Sequence, residues 1–337
     1  MAYHSSTDIR IFAANSNQPL AENIVKKLNT IIKAYEEKIG LPENERTKSI
    51  RLGDSKVGRF ADGEVSLLIN ETVRECDVYL IQSTSAPVND NLMELLIMID
   101  AMKRASARRI TAVMPYFGYS RQDRKARARD PISAKLVANM LTAAGADRVL
   151  TMDLHCAQIQ GFFDKPLDNL FGMPLFREYY TEKFKNFDDV IVVSPDLGSV
   201  GRSRSLAGNL DVNLAIIDKR RPKEDVTEVM NIIGEVRGKT AILIDDEIDT
   251  AGSITNAAKS LKENGVKDIY VCCTHGKFSG NAMERIENSP ITEVVTLDTI
   301  QQKEDRSSKI KVLSVDEIFA DAIHRIHDGI SVSELFG

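Results

Sequence analysis

Residues 241–253 of this 337-residue chain read AILIDDEIDTAGS. The four apolar residues at the start predict a buried strand, and the small residues Ala251 to Ser253 lead into a helical pattern. Backbone N–H groups at such a helix start can close on a phosphate, where the helix dipole favours an anion. The carboxylates between strand and helix can accept hydrogen bonds from sugar hydroxyls. This order predicts a pentose-phosphate site, with a solvated acidic turn as the alternative.

Short apolar runs alternate with helical patterns along almost the whole chain. The clearest runs are 77–82, 109–115, 148–153, 190–194, 214–218 and 268–273. Continuous apolar strands separated by helices are typical of βαβ units, so the sequence predicts an α/β fold with mainly parallel sheets flanked by helices. Functional residues are then expected in the loops beyond the carboxyl ends of the strands.

An internal similarity predicts that the chain contains two related domains. Residues 138–155 align without a gap with residues 258–275, and in each segment a helix ends at glycine before a strand that leads to histidine. Chance similarity between two generic helix–glycine–strand segments is the alternative. Proline and glycine interrupt the pattern near 167–174, so we place one domain at 1–168 and the other at 169–337.

Composition limits the class of protein. The net charge of −5 argues against a general nucleic-acid-binding protein. No apolar run approaches the roughly 20 residues needed to span a bilayer, and the N-terminus lacks the apolar core of a signal peptide. The four cysteines form neither a paired framework nor a CxxC motif. These observations predict a cytoplasmic protein that binds neither membranes nor nucleic acid.

Two basic segments follow predicted strands. Residues 116–133 contain four arginines and a lysine, and planar guanidinium groups match phosphate oxygens well. A solvated basic loop or an RNA contact is the alternative for that segment. Residues 219–221 are three consecutive cations, which could neutralise negative charge that develops in a phosphoryl transition state. An ordinary basic surface loop is the alternative there.

Three further groups of side chains are candidates for binding. The stretch FADGE at 60–64 predicts a tight turn, with Phe60 available to stack and two carboxylates available to accept hydrogen bonds from an amine. Alone, it predicts no more than a hairpin. His155 and Asp196 each follow the end of a predicted strand and are candidate ligands for Mg²⁺, although a structural histidine is the alternative. Zinc lacks an obvious set of four ligands.

Taken together, these segments resemble the ribose-phosphate pyrophosphokinase family over essentially the whole chain. The most specific stretches are FADGE at 60–64, YSRQDRKARARDPISAKL at 119–136, DLHCAQIQGFFDKPLDNL at 153–170, SPDLGSVGRSR at 194–204, DKRRP at 218–222 and DDEIDTAGS at 245–253. The resemblance implies two phosphoribosyltransferase-like domains and a Mg²⁺-dependent transferase for nucleotide biosynthesis. Its reaction moves pyrophosphate from ATP to the C1 hydroxyl of ribose 5-phosphate and yields phosphoribosyl pyrophosphate and AMP.

The resemblance also implies a role for each matched residue. The catalytic pair is Lys219 and Arg221, and the metal-associated positions are His155 and Asp196. The ATP-binding positions are Phe60, Asp62, Gly63, Glu64, Arg121 and Gln122. The ribose 5-phosphate positions are Arg221, Asp245, Asp246, Asp249, Thr250, Ala251, Gly252 and Ser253. The sequence departs from the usual pattern at Ser253, where threonine is usual, and at Ser199, where glycine is usual.

Family members form homo-oligomers, commonly hexamers, and many respond to inorganic phosphate and ADP through the segment that 119–136 resembles. The same partners are therefore implied here. Two alternatives stay open from the sequence. A phosphoribosyltransferase would consume phosphoribosyl pyrophosphate, but the segments RQDRKAR and DKRRP weigh against it. A catalytically silent regulatory paralogue is disfavoured because the implied catalytic, metal and phosphate-loop residues are all retained.

We predict that Lys219→Ala lowers kcat by about 100-fold or more, while binding of ATP changes much less. A cation that acts on charge developing in the transition state contributes little to binding the ground state. Steady-state kinetics with varied ATP measures both quantities. Unchanged turnover would remove Lys219 from the mechanism.

Overall fold

The computed structural model describes residues 7–220, 229–304 and 306–336, which form two compact units. The first unit contains the chain up to Phe171, together with Thr299–Gln301 and the residues from Ser314 onward. The second contains Gly172–Asp298 and Gln302–Leu313. The sequence pattern did not predict that the C-terminal segment would group with the first unit.

The first unit is built on a parallel sheet. Its strands along the chain are β1 (Ile9–Ala13), β2 (Ser55–Arg59), β3 (Val65–Ile69), β4 (Asp77–Ile81), β5 (Arg109–Met114), β6 (Arg148–Met152) and β7 (Leu167–Leu170). Its helices are α1 (Gln18–Lys38), α2 (Val88–Arg104) and α3 (Ser133–Ala144), with the C-terminal helix Asp316–His327. Five strands form the parallel sheet in the order β1-β4-β5-β6-β7, and β2 and β3 form a separate antiparallel hairpin.

The second unit contains a seven-stranded sheet. Its elements along the chain are α4 (Met173–Lys183), β8 (Val190–Ser194), α5 (Val200–Leu210), β9 (Asn213–Arg220), β10 (Val229–Ile233), β11 (Thr240–Ile248), α6 (Gly252–Glu263), β12 (Asp268–Gly276), α7 (Ala282–Glu287), β13 (Glu293–Leu297) and β14 (Ile310–Leu313). The strand order is β10-β9-β8-β11-β12-β13-β14, and every neighbouring pair is parallel except β10 with β9. The C-terminal helix Asp316–His327, which belongs to the first unit, is α8.

Burial of the central strands explains why their sequences are continuously apolar. All five residues of β4 and all five of β8 are buried. In β11, Ala241 and Leu243 share a core cluster with Ala258 of α6, whereas Ile242 and Ile244 are equally buried but project to the opposite face. Both faces of a parallel sheet are therefore covered, as the alternation of strands and helices predicts.

The two sheets share one arrangement, which confirms the prediction of two related α/β units. The order β8-β11-β12-β13-β14 repeats the order β1-β4-β5-β6-β7. This equivalence places β12 with β5, whereas the alignment of 138–155 with 258–275 would place β12 with β6. That alignment was wrong by one βα unit, because a helix, a glycine and a strand recur in successive units of such a fold.

Two further features concern the cysteines and the lengths of the helices. All four cysteines are free. Within the part of the chain that the structure describes, no helix is long and apolar enough to cross a membrane.

A buried ionic network at Asp77, the first residue of β4, ties α8 to the first sheet. The Asp77 carboxylate accepts hydrogen bonds from Arg109 Nε at 2.8 Å and from the Tyr79 hydroxyl at 3.0 Å, and it lies 2.9 Å from His327 Nδ1. Arg109 also donates to the Ile326 carbonyl at 3.0 Å. Burial acts to raise the pKa of Asp77, but hydrogen bonds from His327 and Arg109 outweigh it and hold that pKa below its usual value.

We expect Asp77→Asn to lower the free energy of unfolding by about 2 kcal/mol at pH 7, because it leaves a half-buried cation without its carboxylate. The wild-type contribution is present above the usual aspartate pKa of about 3.9 and is lost as the pH falls through the lowered pKa of the folded protein. Denaturant unfolding at pH 7 and pH 3 measures both effects. Asp100→Asn, which breaks the exposed pair with Arg104, is the control and should change stability little. Equal losses for the two variants would contradict the prediction.

Candidate active site

The second sheet reverses its strand order at β8. Strand β8 has β9 as its neighbour on one side and β11 as its neighbour on the other side. In open α/β sheets, such a reversal leaves a crevice outside the carboxyl ends of the two adjacent strands. Pairing of β11 with β8 ends at Leu243 and Val193, whereas pairing of β11 with β12 continues to Ile248 and Gly276. Thus β11 extends past β8, and the edge facing β8 is open beyond Leu243.

Three carboxylates meet at this crevice. Asp245 and Asp246 lie inside β11, because β12 keeps the strand paired past them, and Asp196 follows β8. Ser199 links the two strands. Its backbone N–H donates to Asp196 Oδ1 at 2.9 Å, and its hydroxyl donates to Asp245 Oδ1 at 3.0 Å. The structure therefore brings together three of the residues that the sequence singled out.

Negative charge dominates the crevice. Burial, followed by the charges of Asp246 and Asp196, raises the pKa of Asp245 to about 7. Arg202 on α5 opposes this effect, with Nη1 at 3.4 Å from Asp246 Oδ1 and 3.9 Å from Asp245 Oδ1. Such a crevice suits ligand groups that donate hydrogen bonds, such as sugar hydroxyls.

The phosphate loop predicted at 249–253 connects β11 to α6. Ala251 caps the helix start with φ of +60°, in the left-handed region that costs a residue with a side chain about 1–2 kcal/mol. Alanine supplies no side-chain cap, so the first turn of α6 presents its N–H groups to the loop. The sequence predicts a helix start at this position, and the structure has one; the binding of a phosphate there stays a prediction.

Two cations hold this loop from outside. Arg285 Nη1 donates to the Thr250 carbonyl at 2.8 Å. Lys277 Nζ lies 2.8 Å from Glu247 Oε1 and 3.7 Å from Asp249 Oδ2. Sequence reasoning missed both cations, because each lies outside the stretches that carry the resemblance. It also assigned no role to Arg202, which stands inside the quoted stretch SPDLGSVGRSR.

In the first unit, the loop 60–64 is a tight turn between β2 and β3. The Phe60 amide donates to the Glu64 carbonyl at 2.8 Å, the Gly63 amide donates to the Phe60 carbonyl at 3.0 Å, and Gly63 has φ of +95°. Asp62 Oδ1 accepts from the Glu64 amide at 3.1 Å. The Phe60 ring is 59% exposed, and Asp62 and Glu64 are exposed as well. The predicted turn is confirmed, and its side chains project outward.

A buried carboxylate fixes the base of this hairpin. Glu94 on α2 is almost completely buried, and it accepts hydrogen bonds from Arg59 at 3.1 Å, Gln82 at 3.0 Å and Asn15 at 2.9 Å. Arg59 directly precedes Phe60, so the orientation of the turn depends on this contact. No sequence pattern pointed to Glu94, since it stands within an otherwise ordinary helical pattern.

The other first-unit candidates are exposed. Arg121 and Gln122 lie between β5 and α3, where Gln122 Oε1 accepts a hydrogen bond from the Ser133 hydroxyl at 2.5 Å. His155 is exposed just after β6. It belongs to the first unit and Asp196 to the second, so their joint role in metal binding stays a prediction. Among the described residues there is no group of three or more His, Cys, Asp or Glu side chains arranged to hold a metal ion.

The proposed catalytic cations are only partly described. Lys219 lies inside β9, opposite Met230 of β10, so the strand continues past Asp218, where the sequence pattern ended it. Arg221 lies outside the described residues. Both assignments stay predictions.

Known proteins similar to this chain match it over nearly its full length. Residues 9–145 match a family model described as the N-terminal domain of ribose phosphate pyrophosphokinase, and residues 218–337 match one described as the phosphoribosyl synthetase-associated domain. The chain is 60% identical over 335 residues to a ribose-phosphate pyrophosphokinase of Clostridium tetani, covering 99% of this chain and 98% of that protein. It is 55% identical to one of Halalkalibacterium halodurans, covering all of both chains. A crystal structure of phosphoribosylpyrophosphate synthetase from Mycobacterium smegmatis aligns with a TM-score of 0.85 and 38% identity, covering 96% of this chain and 100% of that one.

The raised pKa of Asp245 predicts how stability depends on pH. Between the usual aspartate pKa of about 3.9 and about 7, the folded protein holds a proton that the unfolded chain has released. The free energy of unfolding therefore falls across this range as pH rises. We expect Asp245→Asn to remove this penalty and stabilise the protein by about 2 kcal/mol at pH 8, with little effect at pH 4.

Urea unfolding of wild type and variant at the two pH values tests this expectation. Asp189→Asn is the control, because the Asp189 side chain is 82% exposed and should show no such pH dependence. An effect of Asp245→Asn that is the same at pH 4 and pH 8 would show that Asp245 is not protonated in the folded protein at neutral pH.

Proposed function

This chain belongs to the ribose-phosphate pyrophosphokinase family, and we propose that its two units divide the substrates of that reaction between them. The enzyme is a transferase that moves pyrophosphate from ATP to the C1 hydroxyl of ribose 5-phosphate, and it yields phosphoribosyl pyrophosphate and AMP. The observation that carries this conclusion is the match at 60% identity over 99% of the chain. The helix start at Gly252, next to the strand-order reversal of the second sheet, supports the assignment of the loop at 249–253 to the sugar phosphate.

In this proposal the second unit binds ribose 5-phosphate. The loop Asp249–Ser253 takes the 5-phosphate through the N–H groups and dipole at the start of α6. Asp245 and Asp246 accept hydrogen bonds from the ribose hydroxyls, which donate into a crevice of excess negative charge. Asp245 gives up its proton when these donors arrive, because they stabilise the ionised carboxylate.

The first unit is assigned to ATP. Phe60 offers an exposed ring on which an adenine base can stack, and Asp62 and Glu64 can accept hydrogen bonds from its amino group. Arg121 and Gln122 then bind the polyphosphate. Because the turn at 60–64 projects outward, we assign it to the ATP site of a neighbouring copy within a homo-oligomer, which in this family is commonly a hexamer.

The metal is assigned as Mg²⁺, with His155 and Asp196 at the associated positions. Mg²⁺ is usually held by one or two carboxylates together with waters and substrate phosphates, and the oxygens of Asp196 at the crevice fit that mode. When bound, the ion would neutralise charge on the transferred phosphates.

The chain's own contribution to catalysis is positioning and charge. The crevice orients the sugar so that its C1 hydroxyl is presented to the β-phosphorus of ATP, and the C1 oxygen forms the new bond as AMP leaves. Lys219 and Arg221 supply positive charge that stabilises the transferred pyrophosphoryl group in the transition state.

The basic segment 119–136 is assigned to the binding of inorganic phosphate and ADP as effectors. The protein is assigned to the cytoplasm.

The test is incubation of the purified protein with ATP, Mg²⁺ and ribose 5-phosphate, followed by separation of AMP from ADP. We expect AMP to appear only when the sugar phosphate is present, since the β-phosphorus is attacked. Formation of ADP would indicate ordinary kinase chemistry. Absence of turnover, with inorganic phosphate both present and omitted, would favour the silent paralogue.

A further inference from the structure

Lys277 occupies an unusual position next to the phosphate loop. It directly follows β12, and its backbone N–H donates to the Ile248 carbonyl at 2.9 Å, so the end of β12 runs beside the start of the loop. Its side chain is only 12% exposed. The ammonium group lies 2.8 Å from Glu247 Oε1 and 3.7 Å from Asp249 Oδ2. A largely buried lysine is thus placed against the first carboxylate of the loop.

The ammonium group of Lys277 lies where it can reduce electrostatic repulsion between the loop and a bound phosphate. A phosphate dianion bound at 250–253 approaches the Asp249 carboxylate, and like charges repel most strongly where water is excluded. An ammonium group beside Asp249 offsets that repulsion. Glu247, only 9% exposed, compensates the ammonium group for its own removal from water. The two carboxylates therefore have separable parts: Glu247 forms the close ion pair with the lysine, and Asp249, at the start of the loop, is the carboxylate that the proposed phosphate approaches.

We propose that Lys277 is a positioning residue of the ribose 5-phosphate site, which holds the Asp249 carboxylate so that the loop can accept a phosphate dianion. The inference rests on the proposed function, because it takes the loop at 249–253 as the pentose-phosphate site. The backbone of the loop has other support. Arg285 binds the Thr250 carbonyl, and the Ser279 amide donates to the Asp249 carbonyl at 2.9 Å. What Lys277 adds is its charge at the Asp249 side chain.

Four variants separate this role from a merely structural one. Lys277→Met removes the cation and breaks the ion pair with Glu247. Glu247→Gln combined with Lys277→Met removes both charges of that ion pair. Glu247→Gln alone breaks the same ion pair and keeps the cation beside Asp249. Lys277→Arg keeps the charge with a different shape.

Steady-state kinetics with ATP and ribose 5-phosphate varied in turn is the measurement, with circular dichroism and thermal melting to confirm folding. We expect the KM for ribose 5-phosphate to rise about tenfold in Lys277→Met and in the double variant. The KM for ATP should stay within about threefold of wild type in both. Glu247→Gln and Lys277→Arg should keep the KM for the sugar phosphate within about threefold, since each retains a cation next to Asp249.

A double variant with wild-type KM for ribose 5-phosphate would overturn the inference, because the lysine would then serve only to neutralise Glu247. Equal increases in the KM of both substrates would overturn it as well. Failure of the wild type to form AMP from ATP and ribose 5-phosphate would overturn the proposed function instead, so the two failures are distinguishable.

Discussion

The extension of β11 past the end of β8 is the constraint on which the candidate active site depends. In a parallel sheet covered on both faces, side chains within the strands are committed to the core, so polar chemistry is confined to the edge where the strands end. Because β12 holds β11 in line as far as Ile248, Asp245 and Asp246 stay on a paired strand while the edge toward β8 is open. The two carboxylates are thus carried by a backbone that is held on one side by β12 and is open to a ligand on the side of β8.

The charges at this edge are arranged so that anionic and hydroxyl-rich parts of one ligand can bind side by side. Burial, followed by the charges of Asp246 and Asp196, raises the pKa of Asp245 to about 7, with Arg202 as partial compensation. The start of α6 at Ala251 has the opposite electrostatic character, because the N–H groups and the helix dipole there favour an anion. A pentose phosphate has this same polarity, with hydroxyls at one end and a dianion at the other.

In the first unit, buried ionic contacts attach two further elements, the C-terminal helix and the β2–β3 hairpin. Its strand β4 begins at Asp77, whose buried network with Arg109 and His327 binds the C-terminal helix to the sheet. Its hairpin stands outside the sheet and is held at the base by the contact between Arg59 and Glu94. The exposed turn at 60–64 is therefore presented on a fixed support, as its proposed contribution to a neighbouring copy requires.

Local sequence patterns were enough to predict the α/β class, the parallel sheets, the turn at 60–64 and the loop at 249–253, because apolar periodicity and small-residue signals are local properties of the chain. It misplaced the internal repeat by one βα unit, since locally similar units cannot reveal which strand neighbours which. The folded chain was needed to show that Ser199 contacts both Asp196 and Asp245, that Glu94 pairs with Arg59, and that Lys277 lies beside Asp249. Most of these contacts join residues that are far apart in the sequence. Which residues become partners depends on strand order and register, which no local pattern encodes.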